Sequence, residues 1–299
     1  MESMRRGMPA SRGGTRPGPP LRPAGRGRAS SGSSFRYSFG LLPREKKRGI
    51  EAVYSFCRAI DDLTDEGPLD ADGAEQGLEM YREEVSRCYG GSPMLAVTRD
   101  LQAAIRRFGI PREPLQDLLD GVAMDLRKTR YRDFEELRVY CLRVASAVGL
   151  VCLPIFGCGD GRSRAYAIDL GIALQLTNIL RDLKTDAARG RIYLPLDEIT
   201  GCGYSEAELL RGERTPGYLD LMRRQAERAH RHFDSAARLL PEPDRPRLVA
   251  AEVMRAIYLK LLRRIERRNF RVFERRITVP RLQQLGVALR AWALGEVGS

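Results

Sequence analysis

GIALQLTNILRDLKTDAARGRIYLP, residues 171–195, opens as an apolar stretch and turns charged without a break. Its apolar residues recur at helical rather than alternating spacing. Within it Asn178, Asp182 and Asp186 are successive i, i+4 neighbours; each such step rotates only about 40° and rises about 6 Å, so three oxygen ligands form a stripe on one helix face. The helix is expected to stop at Gly190. Arg181, Lys184, Arg189 and Arg191 surround the stripe and supply donors of the kind that hold diphosphate oxygens. A solvated salt-bridge helix would explain the charges, but not their continuing directly from GIALQLTNIL. Gln175, Thr177 and Asn178, set in so apolar a stretch, need partners.

Helical spacing recurs from Phe35 onward, as in Ile50, Val53, Tyr54, Cys57 and in Leu115, Leu118, Leu119, Val122. Breaks fall at Gly67-Pro68, Gly90-Gly91-Ser92-Pro93, Gly109-Ile110-Pro111, residues 157–161, 190–195, 201–203 and 241–246. Each interval suits one or two helices, and no run of alternating strands or internal repeat interrupts them. The expectation is an all-α single domain over residues 33–299. The longest apolar run, residues 144–159, contains Pro154 and is too short for a normal membrane span. Being apolar around its circumference, it belongs at the centre of the protein or along an apolar cavity.

The composition, 43% hydrophobic and 30% charged over 299 residues, supports a substantial core. The net charge of +12 attracts anions. It is concentrated in the first 30 residues and in residues 255–290, where basic side chains far outnumber acidic ones. Residues 1–32, rich in Arg, Pro and Gly, read as a disordered basic tail; the Pro and Gly would break the amphipathic helix of a transit peptide. Two histidines, His230 and His232, leave no material for a His-rich zinc centre or a Ser-His-Asp triad and read as a solvated helix face. Six cysteines without a C-x-x-C pair, in so long a chain, read as reduced, mostly buried thiols of a cytoplasmic protein. The basic segments carry no nucleic-acid reading motif, so no nucleic-acid partner is expected.

RAIDDLTDEGP, residues 58–68, carries a second acidic cluster. On a helix Asp61 and Asp65 are i, i+4 neighbours, as are Asp62 and Glu66, and like charges at that spacing are destabilising. They also gather at the negative end of the helix dipole, so a bound cation would relieve both effects. Hard oxygen ligands here suit Mg²⁺, which completes its shell with water and phosphate oxygens; a merely solvated acidic helix end would explain this cluster taken alone. Two such stripes, each attached to an apolar helix, suit ionisation of an organic diphosphate, with Mg²⁺ neutralising the leaving group and an apolar, aromatic-lined cavity keeping a carbocation from water. Phe35, Tyr37, Phe39, Tyr54, Phe56, Tyr140 and Phe156 are candidate wall residues, each of which ordinary core packing also explains.

Residues 33–66 (SSFRYSFGLLPREKKRGIEAVYSFCRAIDDLTDE), 140–150 (YCLRVASAVGL) and 171–195 together resemble the squalene and phytoene synthases, which join two prenyl diphosphates head to head. The resemblance covers roughly residues 33–280. It implies the all-α terpenoid synthase bundle with a central apolar cavity, Asp61 and Asp65 as metal ligands of the first motif, and Asn178, Asp182 and Asp186 as those of the second. It also implies that Ser34, Tyr54, Arg58, Gln175, Arg181, Tyr258 and Arg275 contact diphosphate or line the cavity beside it, with Tyr54 among the catalytic groups. Ser31-Gly32-Ser33 departs from the basic or histidine-containing loop of some relatives.

The compact chain, the VASAVG variant and the ending FRVFERRITVPRLQQL are most similar to bacterial presqualene diphosphate synthases of hopanoid biosynthesis. That resemblance implies two farnesyl diphosphates as substrates, two or three Mg²⁺ ions and no NADPH. A phytoene synthase using geranylgeranyl diphosphate is the alternative, and a catalytically silent scaffold relative is an alternative of another class. The segment with Leu282, Leu285, Val287, Leu289 and Trp292 beside Arg281 and Arg290 reads as amphipathic, for peripheral contact with an anionic membrane. Replacing Asp61 or Asp182 with Ala is expected to abolish turnover and leave unfolding nearly unchanged.

Overall fold

The computed structural model describes residues 42–65 and 71–293. The basic tail, Ser34, the Ser31–Ser33 departure and the aromatic residues Phe35, Tyr37 and Phe39 lie outside them. Asp65 closes the first helix, and its side chain, like that of Trp292, is also outside the described set.

Twelve α-helices follow one another among the described residues: α1 (Arg44–Asp65), α2 (Ala71–Gly90), α3 (Ala96–Phe108), α4 (Arg112–Arg127), α5 (Phe134–Cys141), α6 (Ala147–Phe156), α7 (Gly161–Ala188), α8 (Leu196–Gly201), α9 (Glu206–Arg211), α10 (Pro216–Leu239), α11 (Val249–Arg267) and α12 (Arg281–Ala293). No strand occurs among them, only an isolated bridge between Arg130 and Ile192. The described Gly and Pro breaks all fall at or between helix ends. Gly109 and Gly157 adopt φ of +66° and +83°, the left-handed cap that stops a helix and that L side chains resist. Asp160 caps α7 by accepting from the Ser163 amide at 2.6 Å.

The most extensive helix pair is α7 with α10. Leu221, Met222, Ala226, Ala229, Phe233 and Ala236 form the buried stripe of α10 at spacings of three and four, and its small alanines permit close approach. Helices α5 and α6 run on from each other through a π turn, Leu142–Ser146. The joined helix, Phe134–Phe156, is 23 residues long, longer than the apolar run alone suggests; its most apolar 18-residue stretch has mean hydropathy 2.0, so it is long and apolar enough by composition to cross a membrane. Half of its most apolar stretch is buried inside the fold, so here it is a core helix with an incompletely covered strip that includes Val144, Val148 and Leu150. Both α1 and α7 pack on α6, so the two acidic helices share one apolar support.

His230 and His232 are not a solvated face. His230 Nε2 meets Glu266 at 3.0 Å and His232 Nδ1 meets Asp169 at 2.9 Å, tying α10 to α11 and α7. None of the six cysteines is in a disulfide. Burial pushes the Cys141 and Cys152 thiols up to about 12, which suppresses their nucleophilicity.

Candidate active site

Helix α1 sets Tyr54, Arg58 and Asp61 at spacings of three and four, all half-buried. Arg58 Nη2 donates to Asp62 Oδ1 at 3.3 Å, so this arginine is bound to the carboxylate cluster of its own helix. Phe56 lies in the core, edge-on to Tyr81 at 6.0 Å, and Phe156 is buried as well.

Helix α7 runs unbroken from its apolar half through Gln175, Asn178, Asp182 and Asp186. Thr177 satisfies itself on the Ala173 carbonyl at 2.8 Å. Asn178 Nδ2 donates to Gln175 Oε1 at 3.3 Å, but Asn178 Oδ1 is buried without a hydrogen-bond partner. An unsatisfied buried amide oxygen costs about 1–3 kcal/mol, and it points here to a cation or donor that completes the site.

Asp182 and Arg181 are each 7% exposed. Arg181 Nε donates to Asp182 Oδ1 at 2.9 Å and its Nη2 pairs with Oδ2. Burial opposes the Arg181 charge, yet Asp182 and the Tyr258 hydroxyl beside it outweigh burial and hold its pKa above the ordinary arginine value. Tyr258, on α11, is buried next to this pair. Arg276 Nε also donates to Asp182 Oδ1, at 3.1 Å. The neighbouring Arg275 does not join that contact; it lines an open cleft of about 380 Å³ with Arg267, Arg268 and Arg271.

Among the described residues no three His, Cys, Asp or Glu side chains are gathered closely enough to hold a metal unaided. Mg²⁺ keeps several waters and takes other ligands from phosphate. The orphaned Asn178 oxygen and the Asp182 carboxylate one turn further on fit such an ion.

A second polar cluster lies outside the sequence reading. Tyr140 Oη donates to Asp125 Oδ2 at 2.9 Å and Tyr193 Oη to Asp125 Oδ1 at 2.8 Å, while Arg191 Nη2 donates to the Asp125 carbonyl at 3.0 Å. Tyr140 and Tyr193 stack at 5.1 Å, with Tyr131 5.5 Å from the first and 5.7 Å from the second. Burial first, then the Asp125 charge, drives the Tyr140 and Tyr193 phenols well above their usual range, so both stay protonated. Tyr140 is thus a buried phenol held by a hydrogen bond to Asp125. Asp125 and Tyr193 carry no local spacing signal, because their partners are 15 and 68 residues away.

A squalene/phytoene synthase family model matches residues 28–283. The phytoene synthase of Arthrospira platensis is 37% identical over 269 residues, covering 84% of this chain and 85% of that relative. The 15-cis-phytoene synthase of Synechocystis is 35% identical, covering 86% and 80%. Among solved structures, the squalene synthase HpnC of Alicyclobacillus acidocaldarius superposes with a TM-score of 0.73 at 32% identity, over 79% of this chain and 89% of that one. A dehydrosqualene synthase superposes with a TM-score of 0.75 at 27% identity, over 87% and 91%. The bundle, the two acidic helices on one apolar support and these likenesses agree: the chain belongs to the squalene/phytoene synthase family of prenyltransferases, with the terpenoid synthase fold.

Proposed function

We propose that the chain is a Mg²⁺-dependent prenyltransferase joining two farnesyl diphosphates head to head into presqualene diphosphate, with release of one diphosphate. The observation that carries the diphosphate chemistry is the unpartnered, buried Asn178 oxygen on the same helix face as Asp182, where an apolar helix becomes charged. Asp61, Asp65, Asn178, Asp182 and Asp186 would hold the ions, and bound Mg²⁺ supplies neutralisation of charge on the leaving diphosphate. The choice of a C15 substrate is supported by the VASAVG and C-terminal blocks, and by the C30 products in the names of the two solved relatives above.

Arg58 and Arg276 would turn forked donors to diphosphate oxygens and fix the donor molecule by its head, while Arg181 stays paired with Asp182. Its C1–O bond breaks, and the electron pair leaves with the diphosphate. The prenyl chains would cover the half-exposed apolar strip of the Phe134–Phe156 helix, and their packing there would keep water from the allylic cation. The C2–C3 double bond of the second molecule then bonds to that C1, and loss of a C1 proton lets the released pair close the cyclopropane. Tyr140, whose hydroxyl donates to Asp125 Oδ2 at 2.9 Å, would take this proton at Oη while passing its own to Asp125. Tyr140→Phe should lower the steady-state rate by about 100-fold or more. A rate within a factor of two of wild type would assign the proton to another base, such as the departing diphosphate.

The curated relatives named above favour a second reading, a phytoene synthase taking C20 geranylgeranyl diphosphate. Incubation with Mg²⁺ and either substrate, with and without NADPH, followed by mass spectrometry, separates the two. A C30 diphosphate from the C15 substrate, unchanged by NADPH, supports the presqualene reading. A C40 hydrocarbon from the C20 substrate supports the phytoene reading, and no turnover of either would favour a silent scaffold.

A cytoplasmic enzyme that meets the membrane peripherally completes the proposal. On α12, Leu282, Leu285 and Leu289 are exposed along one side while Gln284 and Ala288 face the fold. Arg281 and Arg290 accompany the stripe, and the Arg267–Arg275 cleft adds charge: desolvation, then Arg275 and Arg264, lower the Arg268 pKa. An apolar stripe among arginines matches an anionic lipid surface. Sedimentation with anionic liposomes at low salt, reduced by Leu282→Asp together with Leu289→Asp, is the expected result; no sedimentation of the wild type would refute it.

A further inference from the structure

We infer that Arg276 is a positioning residue that stands in for a metal at Asp182 in the open site and transfers to the substrate diphosphate as Mg²⁺ arrives. The inference rests on the reading of Asp182 as a metal ligand. Arg181 alone already engages both oxygens of Asp182 and neutralises it. Arg276 is a second guanidinium on the same carboxylate, reaching across 94 residues to Oδ1, the oxygen that also accepts from Arg181 Nε.

The two arginines differ in freedom. The side chain of Arg181 is 8% exposed, so breaking its pair would strand a buried charge. That of Arg276 is 36% exposed and keeps access to water. Its backbone is fixed, because Val272, Ile277 and Val279 on either side of it are buried, so the movable part is the side chain. A divalent ion that takes Oδ1 therefore displaces Arg276 rather than Arg181. The displaced fork remains beside the metal stripe, where a diphosphate offers paired oxygens in place of the carboxylate.

Arg276 consequently opposes Mg²⁺ alone and favours Mg²⁺ with diphosphate, which couples the two binding events. It discourages a metal-loaded site without substrate, and its movement makes donor binding and metal binding one step.

The test is calorimetric titration of the full chain with MgCl₂ alone and with inorganic diphosphate at saturating Mg²⁺, for wild type, Arg276→Gln and Arg276→Lys, with thermal unfolding measured alongside. Arg276→Gln should bind Mg²⁺ alone about tenfold more tightly and diphosphate about tenfold more weakly, the scale of one charge-assisted contact. Arg276→Lys, which keeps the charge without the fork, should fall between on both titrations. A purely structural arginine would weaken both affinities together and lower the unfolding temperature, and that result, or no change in either affinity, overturns the proposal. If wild type and Arg276→Gln alike bind no Mg²⁺ at millimolar concentration, the metal reading of Asp182 fails and the Arg276 proposal with it.

Discussion

Replacing Asp61 with Ala is expected to cut turnover by about 10³-fold, the scale of losing one preorganised charge-stabilising element at a leaving group. Folding should be unaffected or slightly improved, because Asp61 sits half-buried in the acidic last turns of α1, where its removal relieves repulsion. Asp182 behaves differently, and here the structure corrects the expectation drawn from sequence. Asp182→Ala would leave the buried Arg181 guanidinium without its carboxylate, at a cost of about 3–5 kcal/mol, so loss of activity would be confounded with loss of fold. Asp182→Asn keeps the volume and one acceptor for Arg181 while removing the charge a metal needs, so it should lower the unfolding temperature less than Asp182→Ala does. Steady-state rates and thermal unfolding of Asp61→Ala and Asp182→Asn, read together, decide the assignment: near-native turnover in both would remove it.

Gly171→Ala should be strongly destabilising. A Cβ there would lie 2.5 Å from the Ser146 Cα and 2.6 Å from its backbone nitrogen, so helix α7 and the π turn would have to separate. A loss of about 3 kcal/mol is expected for such overpacking against backbone. At roughly 2–4 °C per kcal/mol for a domain of this size, the unfolding temperature should fall by about 6–12 °C. Gly77→Ala is the control: its Cβ would meet only the Leu63 side chain, with Cδ2 nearest at 2.8 Å. Equal, small shifts for the two variants would show that the helices part easily and that the close crossing is not a constraint.

The helical bundle and the second acidic stripe were legible because both are local. Asn178, Asp182 and Asp186 need only the helical repeat to share a face, and glycines such as Gly109 and Gly157 report their own breaks. The contacts that were not legible join residues distant in the chain. Asp125 holds Tyr140 and Tyr193, and nothing within one turn of any of the three announces the other two. Similarity to the family selects Arg275, whereas the side chain that reaches Asp182 is Arg276. Asn269 and Phe270 adopt φ of 51° and 56°, which few non-glycine residues do, and the segment that follows is not helical, so no helical repeat tells which of two adjacent arginines turns inward. Likewise a pair of histidines among charged residues looks solvated until the helices carrying Glu266 and Asp169 are packed against them.

The π turn at Leu142–Ser146 gives the core helix a phase offset. A π turn holds about one residue more than an α turn, and each residue in a helix is worth about 100° of rotation. The half bearing Tyr140 and the half that packs on α1 and α7 are therefore indexed to each other by one inserted position. Deleting a single residue there would leave hydropathy and composition almost untouched, yet swing Tyr140 away from Asp125 by about a quarter turn. On the proposed reading, the alignment of Tyr140 with the diphosphate end is set by a count of residues, so a one-residue deletion here would change geometry that no change of composition reveals.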